Sequence, residues 1–422
     1  MLRANLQTAT AKVASILLFA LAVMLAHSAG AQSFTVLHSF TNGGDGATPV
    51  AGVTLDGSGN IYGTASQGGF TGDGCTFGCG TVFRMKPSGS RWILDVLYSF
   101  HGQDGWNPSA RVVFGPDGTL YGTTAYGGTY GGANGTVFNL RPSPAVCKSA
   151  LCPWQETVLW SFMGHPDGAT PGGGDLTFDA AGHLYGTTIS GGLYGYDGTV
   201  FELAHLPVGD WSENIDYSFG EDIQVGGYGP YASVIFDQAG NMYTTTFSGG
   251  PDDCGTVDEL VNSASGWTET VLHALQCGSE GEWPYGGLIF DQAGNLYGTT
   301  AYEGSGNGGT VFELTPSIGN WIFNLLYSLS GGGPGPLTSL TMDGQGNLYG
   351  TTKGAGVYEA GNVFKLTFSN GDWTYTDLHD FTGGADGGVP FSQVTLDSRG
   401  NLYGTASQGG ANTYGVVWEI TP

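Results

Sequence analysis

One phrase governs this chain. GNLYGTT, or a close variant of it, occurs at 59–65, 118–124, 182–188, 240–246, 294–300, 346–352 and 400–406. Its tyrosines are Tyr62, Tyr121, Tyr185, Tyr243, Tyr297, Tyr349 and Tyr403, from 52 to 64 residues apart. A unit repeated at that interval cannot bury its apolar face alone, and stacked copies share one continuous core. Seven copies without a gap leave no room for a boundary between two domains.

Each copy carries four strand signals. In the fifth they are an apolar run ending in Asp, GGLIFD (286–291); the phrase itself; GTVFEL (309–314); and WIFNLLYSL (321–329). In the last, Trp321, Phe323, Leu325, Tyr327 and Leu329 alternate onto one face, the period of a strand and not of a helix. No helical stretch stands out after residue 31. Four antiparallel strands repeated seven times predict an all-β fold, a seven-bladed β-propeller. A β-solenoid needs a much shorter period, and a β-sandwich does not repeat itself seven times.

The two ends complete each other. The chain stops at a third strand, GVVWEI (415–420), while FTVLHSF (34–40) has the pattern of a spare fourth one. Pairing them closes the ring and removes an exposed edge at each end. His38, His273 and His379 fall where other copies have Tyr98, Trp160, Tyr217 and Tyr327, which marks them as flat packing residues between blades.

Residues 1–31 read as a signal peptide, with Arg3 and Lys12, an apolar run of about a dozen residues, and small residues before Gln32. The run is short for a membrane span. The predicted mature chain is a single propeller domain, 32–422, monomeric and secreted or held at the cell surface or in the periplasm. A formal charge of −25 repels nucleic acid and anionic lipid, and favours neutral glycans, cations or basic partners. The six cysteines suit an oxidising compartment. Spacing suggests Cys75 with Cys79 and Cys147 with Cys152. Cys254 and Cys277 bracket a hairpin, and extending a pairing of Val261 with Trp267 up the ladder leaves them nearly opposite. No C-x-x-C is present, so no metal site is expected of these thiols.

The long phrase, GNLYGTT followed by a glycine-rich loop and GTVFEL, resembles the GloVer-type tandem-repeat family of exported bacterial proteins across all seven copies. The resemblance implies propeller blades and carries no catalytic motif or known reaction; members often bear one of several C-terminal surface anchors. The order of strands is also similar to propellers whose inner strand reads P-x-G-hydrophobic-D. By that likeness GGLIFD lines the central channel and WIFNLLYSL lies at the rim.

Two loop sets are then expected on one face of the disc, the usual place for a site on a rigid scaffold. One set carries Asp45, Asp104, Asp167, Glu280 and Asp386, which serve as turn residues or form a carboxylate ring at the channel mouth able to hold Ca²⁺ or a polar ligand. No other cofactor is indicated. Trp106, Tyr126, Tyr130, Tyr194, Tyr196, Trp283 and Tyr302 add aromatic rings, which suit sugar faces. Catalytic motifs are absent: no H-E-x-x-H, G-x-S-x-G or P-loop occurs. The expected function is an exported, non-catalytic binding or scaffold protein whose ligand is an extracellular polysaccharide or protein. The alternative is a secreted glycan hydrolase or lyase. Blade four, with Met242 and Thr244, departs most from the repeat.

Overall fold

The computed structural model describes residues 32–72, 74–129, 134–143, 154–195, 197–206 and 209–422. The predicted leader, the Cys147–Cys152 pair, Tyr130 and Tyr196 lie outside the described residues. Seven four-stranded antiparallel sheets form a ring, and no helix occurs among the described residues. In blade 1 the strands are Thr54–Leu55, Ile61–Ala65, Thr81–Ser88 and Arg91–Ser99, in that order from the channel outward. The seventh sheet takes its outermost strand from the other end of the chain. Ser33–Ser39 lies against Val416–Thr421, with Phe34 opposite Ile420 and Val36 opposite Trp418. The predicted propeller and its closure are both present.

Almost every letter of the repeated phrase has a partner. The Asp ending the first strand accepts two turn N–H groups: Asp291 Oδ1 takes those of Ala293 and Asn295 at 2.8 and 2.9 Å. Its Oδ2 accepts from Asn295 Nδ2 at 2.8 Å and from the Tyr297 hydroxyl at 3.2 Å. The glycine after the tyrosine leaves room for a ring. A Cβ on Gly63 would stand 2.5 Å from the buried Phe83 ring, and one on Gly122 would stand 2.6 Å from Phe138. The next threonine ties six of the seven blades to their neighbours, Thr123 of blade 2 having no partner. Thr187 donates to Ala232 O at 2.9 Å, Thr351 to Ser392 O at 2.9 Å, and across the closure Thr405 to Ala51 O at 2.8 Å. The last threonine meets the third strand, as Thr300 Oγ1 meets Thr310 Oγ1 at 2.8 Å. Side chains that each satisfy a buried polar group while fixing a blade contact make one phrase serve seven times.

Between blades the core is aromatic. Phe40, Phe100 and Phe162 are wholly buried and meet Phe83, Phe138 and Phe201 of the following blade edge-on, with centroids 5.1–5.4 Å apart. The histidines pack as expected: His379 stacks on Phe34 at 3.6 Å and His273 on Phe323 at 4.4 Å, each pair spanning two blades. Both disulfides expected within the described residues are formed, Cys75–Cys79 and Cys254–Cys277, with Cα atoms 5.0 and 5.6 Å apart.

Three details differ from the sequence reading. The first strand is two residues of ladder, Ile289–Phe290 in blade 5, because the backbone ahead of it faces the neighbouring blade, where Thr245 donates to Pro284 O and Gly286 O at 3.1 Å. The alternation of the outer strand breaks at a bulge between the partners of Val311 and Phe312, so Leu325 faces solvent and Leu326 turns into the core. In the blade 4 hairpin Trp267 faces Asn262, not Val261, and a bulge near Val257 then brings the thiols together.

Candidate functional site

The channel is lined by the segments that enter each first strand, from Val50–Gly52 of blade 1 to Phe391 and Gln393 of blade 7, around a cavity of about 60 Å³. Among the described residues its one cation is Arg111, paired with Asp175 at 2.8 Å. On the long-loop face it opens into a cavity of about 660 Å³. Short ladders join the two loop sets there, such as Trp106 with Tyr126 and Glu282 with Tyr302, so both sets share this face as the sequence suggests.

The rim of the mouth follows from one position in the repeat. Every blade enters its first strand through a proline: Pro49, Pro108, Pro171, Pro230, Pro284, Pro336 and Pro390. The residue after each lines the cavity: Val50, Ser109, Gly172, Tyr231, Tyr285, Leu337 and Phe391. The ring is lopsided. Ser109 and Gly172 leave space on one side, and Tyr231, Tyr285, Leu337 and Phe391 form an apolar wall on the other. Tyr126, Tyr302 and Lys353 complete the lining from the second set of loops.

The rings brace one another. Tyr231 meets Tyr285 edge-on at 4.9 Å, and Phe247 packs behind both at 5.6 and 5.1 Å. Trp106 stacks on Tyr126 at 4.5 Å, and Trp283 meets Tyr302 at 5.2 Å, so the two tryptophans back the lining without forming it. Tyr194 is exposed on the blade 3 loop, outside the cavity. Burial, then the neighbouring Tyr126 hydroxyl, pushes Tyr231 up; burial, then Tyr231 and Tyr302, pushes Tyr285 up to about 12. Both phenols therefore stay neutral and act as hydrogen-bonding groups.

The five loop acids lie elsewhere. Each accepts the N–H that opens its own loop: Asp45 from Thr41 at 3.0 Å, Asp104 from His101 at 2.7 Å, Asp167 from Met163 at 2.8 Å, Glu280 from Gln276 at 2.9 Å and Asp386 from Thr382 at 2.9 Å. Three also hydrogen-bond the outer strand before them, through His38 at 3.0 Å, Tyr98 at 2.6 Å and His273 at 2.8 Å, and Asp386 lies 3.3 Å from His379. None lines the mouth or the channel. The expected carboxylate ring is thus a set of turn staples toward the rim, because the turn's own N–H groups claim the oxygens first.

A second acidic feature escaped the sequence reading. At one outer-strand position Phe34, Leu94, Phe323 and Tyr375 occupy blades 7, 1, 5 and 6, whereas blades 2, 3 and 4 carry Glu156, Glu213 and Glu269. Burial, then the charge of Asp104, raises Glu156 to about 8; burial, then Asp167, raises Glu213 to about 8. Asp167 Oδ1 and Glu213 Oε1 are buried without a partner, which one shared proton would supply. In blade 4, whose incoming loop has Gly226 at the place of that acid, Glu269 accepts from the Tyr217 hydroxyl at 3.1 Å. These groups sit between outer strands and do not line the mouth.

Among the described residues, no helix is long and apolar enough to cross a membrane. No curated protein matches the chain. Two solved structures are similar to it at 16% identity. One, from Thermus thermophilus and provisionally assigned as an oxidoreductase (glucose dehydrogenase), aligns over 82% of this chain and 99% of its own with a TM-score of 0.41. The other is PorZ, a surface component of the type-IX secretion system of Porphyromonas gingivalis, over 87% of this chain and 46% of its own with a TM-score of 0.48. At such TM-scores neither bears on function. The tandem units themselves are diagnostic: residues 23–205 and 210–418 match the Gloeobacter/Verrucomicrobia repeat, and the chain belongs to that family.

Proposed function

We propose that this chain is an exported, non-catalytic, monomeric binding propeller that takes an extracellular glycan at the mouth of its channel. The observation that carries this reading is the 660 Å³ cavity, braced on one side by Tyr231, Tyr285 and Phe391 and faced by Tyr126 and Tyr302. Its volume suits one or two sugar rings. Aromatic faces take the apolar face of a sugar, and neutral tyrosine hydroxyls exchange hydrogen bonds with its hydroxyls. The protein's charge of −25 does not oppose a neutral chain of sugars.

Two observations favour binding over chemistry at this place. Hydrolysis of a glycoside calls for a pair of carboxyl groups flanking the bond, and no Asp or Glu among the described residues lines the mouth. Elimination calls for a base, and burial drives Tyr231 and Tyr285 away from the phenolate form. A protein partner would use the surrounding crown, where Phe77, Leu193, Val225, Val357 and Tyr358 are exposed.

A glycan array probed with the mature protein, with and without Ca²⁺, tests the reading. The expected result is a family of related glycan hits that weaken sharply for Tyr126→Ala and Tyr285→Ala. Absence of any hit, or release of reducing ends or unsaturated sugars from a hit by pure protein, would overturn it.

A further inference from the structure

The mouth has one feature that the repeat does not explain. Directly after the GTT phrase the seven copies carry Ser66, Ala125, Ile189, Phe247, Ala301, Lys353 and Ser407. Only blade 6 places a charge at that position, and it places it in the cavity wall. The Lys353 ammonium lies 4.7 Å from the centre of the Phe391 ring. Lys353 takes no part in the ion pairs among the described residues, in a protein with 36 acids and 11 basic residues. The other cation of the channel, Arg111, is already neutralised by Asp175. A half-buried ammonium loses part of its hydration. Packing does not demand that loss, since the six sister blades fill the position with small or apolar side chains.

We propose that the mouth takes a carboxylated sugar, a uronate unit of an acidic glycan, with its carboxylate on Lys353 and its ring against Phe391 and Tyr285. The inference rests on the reading of the mouth as a glycan site and deepens it by naming the sugar class. With no acid among the described residues of the lining, the ammonium is free to meet an anion. The net negative charge of the whole chain does not prevent contact, because charges farther away than the screening length of about 8 Å at physiological salt are largely masked. Lysine offers a point charge and not a fork, so it suits a monodentate carboxylate on a ring held by stacking.

Isothermal titration with oligogalacturonate and its carboxyl-reduced counterpart tests this, using the mature wild-type protein, Lys353→Met and Lys353→Arg. The acidic oligomer is expected to bind wild type roughly ten- to a hundred-fold more tightly than the reduced one. Lys353→Met should lose that preference while keeping the wild-type melting temperature, whereas Lys353→Arg retains most of the preference. Equal binding of both oligomers by wild type overturns the uronate assignment and leaves the glycan site standing. Binding of neither overturns both. If Lys353→Met does not fold, the wild-type comparison decides alone.

Discussion

Thr244 faces Asp258 across the middle of blade 4, at the register where the six other blades set a glycine against an aromatic ring. The two departures are one event: losing the ring frees the space that a side chain at 244 needs. Asp258 is wholly buried, accepts from Thr256 Oγ1 at 2.5 Å and leaves Oδ1 without a partner. Burial, then Glu269, pushes its carboxyl well above the usual carboxylate range.

Asp258→Phe alone therefore drives a ring onto Thr244 and should cost about 1–3 kcal/mol. Thr244→Gly alone opens a void and should cost about 1–2 kcal/mol. The double variant restores the pair used by the other blades and should be more stable than either single one, with a coupling of about 0.5–3 kcal/mol in a double-mutant cycle by denaturant unfolding. Additive losses would separate the two changes.

Stability should fall from about pH 5 to about pH 8. Glu156 and Glu213 sit at about 8 in the folded chain against an ordinary 4.5, and Asp216 at about 7 against 3.8. Across that window the folded chain holds protons that the unfolded chain has lost, so the stability these groups give is present below their ordinary values and is lost as pH rises through the folded ones. Asp56, Asp343 and Asp397 work in the opposite sense. Burial pushes them up, but hydrogen bonds from the following asparagine and turn N–H groups outweigh it, so their contribution is lost as pH falls below the carboxylate range. A thermal-shift series should show a maximum at mildly acid pH, and Glu156→Gln with Glu213→Gln should flatten the alkaline limb. A midpoint that climbs toward pH 8 would contradict this.

Cys254 and Cys277 close a loop with a sequence separation of 23 across the open end of the blade 4 hairpin. Replacing both with alanine should cost about 2–4 kcal/mol through the freedom returned to the unfolded chain. Reducing agent should lower the wild-type midpoint and leave that of the double variant less affected.

The closing strand should be indispensable. Phe34 stacks on His379 and meets Phe381 edge-on at 5.7 Å, joining the first residues of the described chain to blade 6. Phe34→Ala should cost about 2–3 kcal/mol by denaturant unfolding. Removal of residues 32–40 exposes the edge of Val416–Thr421 and should lead to aggregation. A synthetic peptide of 33–40 supplied during refolding should rescue solubility; soluble, fully stable protein without the strand would refute closure.

Much of this fold was legible because the repeat is local. Asp291, Asn295 and Tyr297 satisfy one another within a few residues, and the copies reveal which letters matter. Closure was legible because each end lacked what the other had. The bulge opposite Phe312 was not, since an extra residue in a strand leaves no compositional mark, and Leu325 and Leu326 read alike. Of the residues named for the site, Tyr126 and Tyr302 line the mouth and Trp106 and Trp283 support them, while the acids were placed on the correct face but too near the axis. Tyr231, Tyr285 and Phe391 were missed because they precede a first strand only two residues long. The signal was present: the residue after each loop proline varies while the proline does not. Lys353 was legible in the same way, as the one charge in its column.

The most direct test of the account is a hydrogen-exchange footprint at saturation with the strongest glycan-array hit. Protection is expected to be confined to segments that line the mouth, around Tyr126, Tyr231, Tyr285, Tyr302, Lys353 and Phe391. Protection spread over the outer crown around Phe77, Leu193 and Val357, with the mouth unchanged, would contradict it.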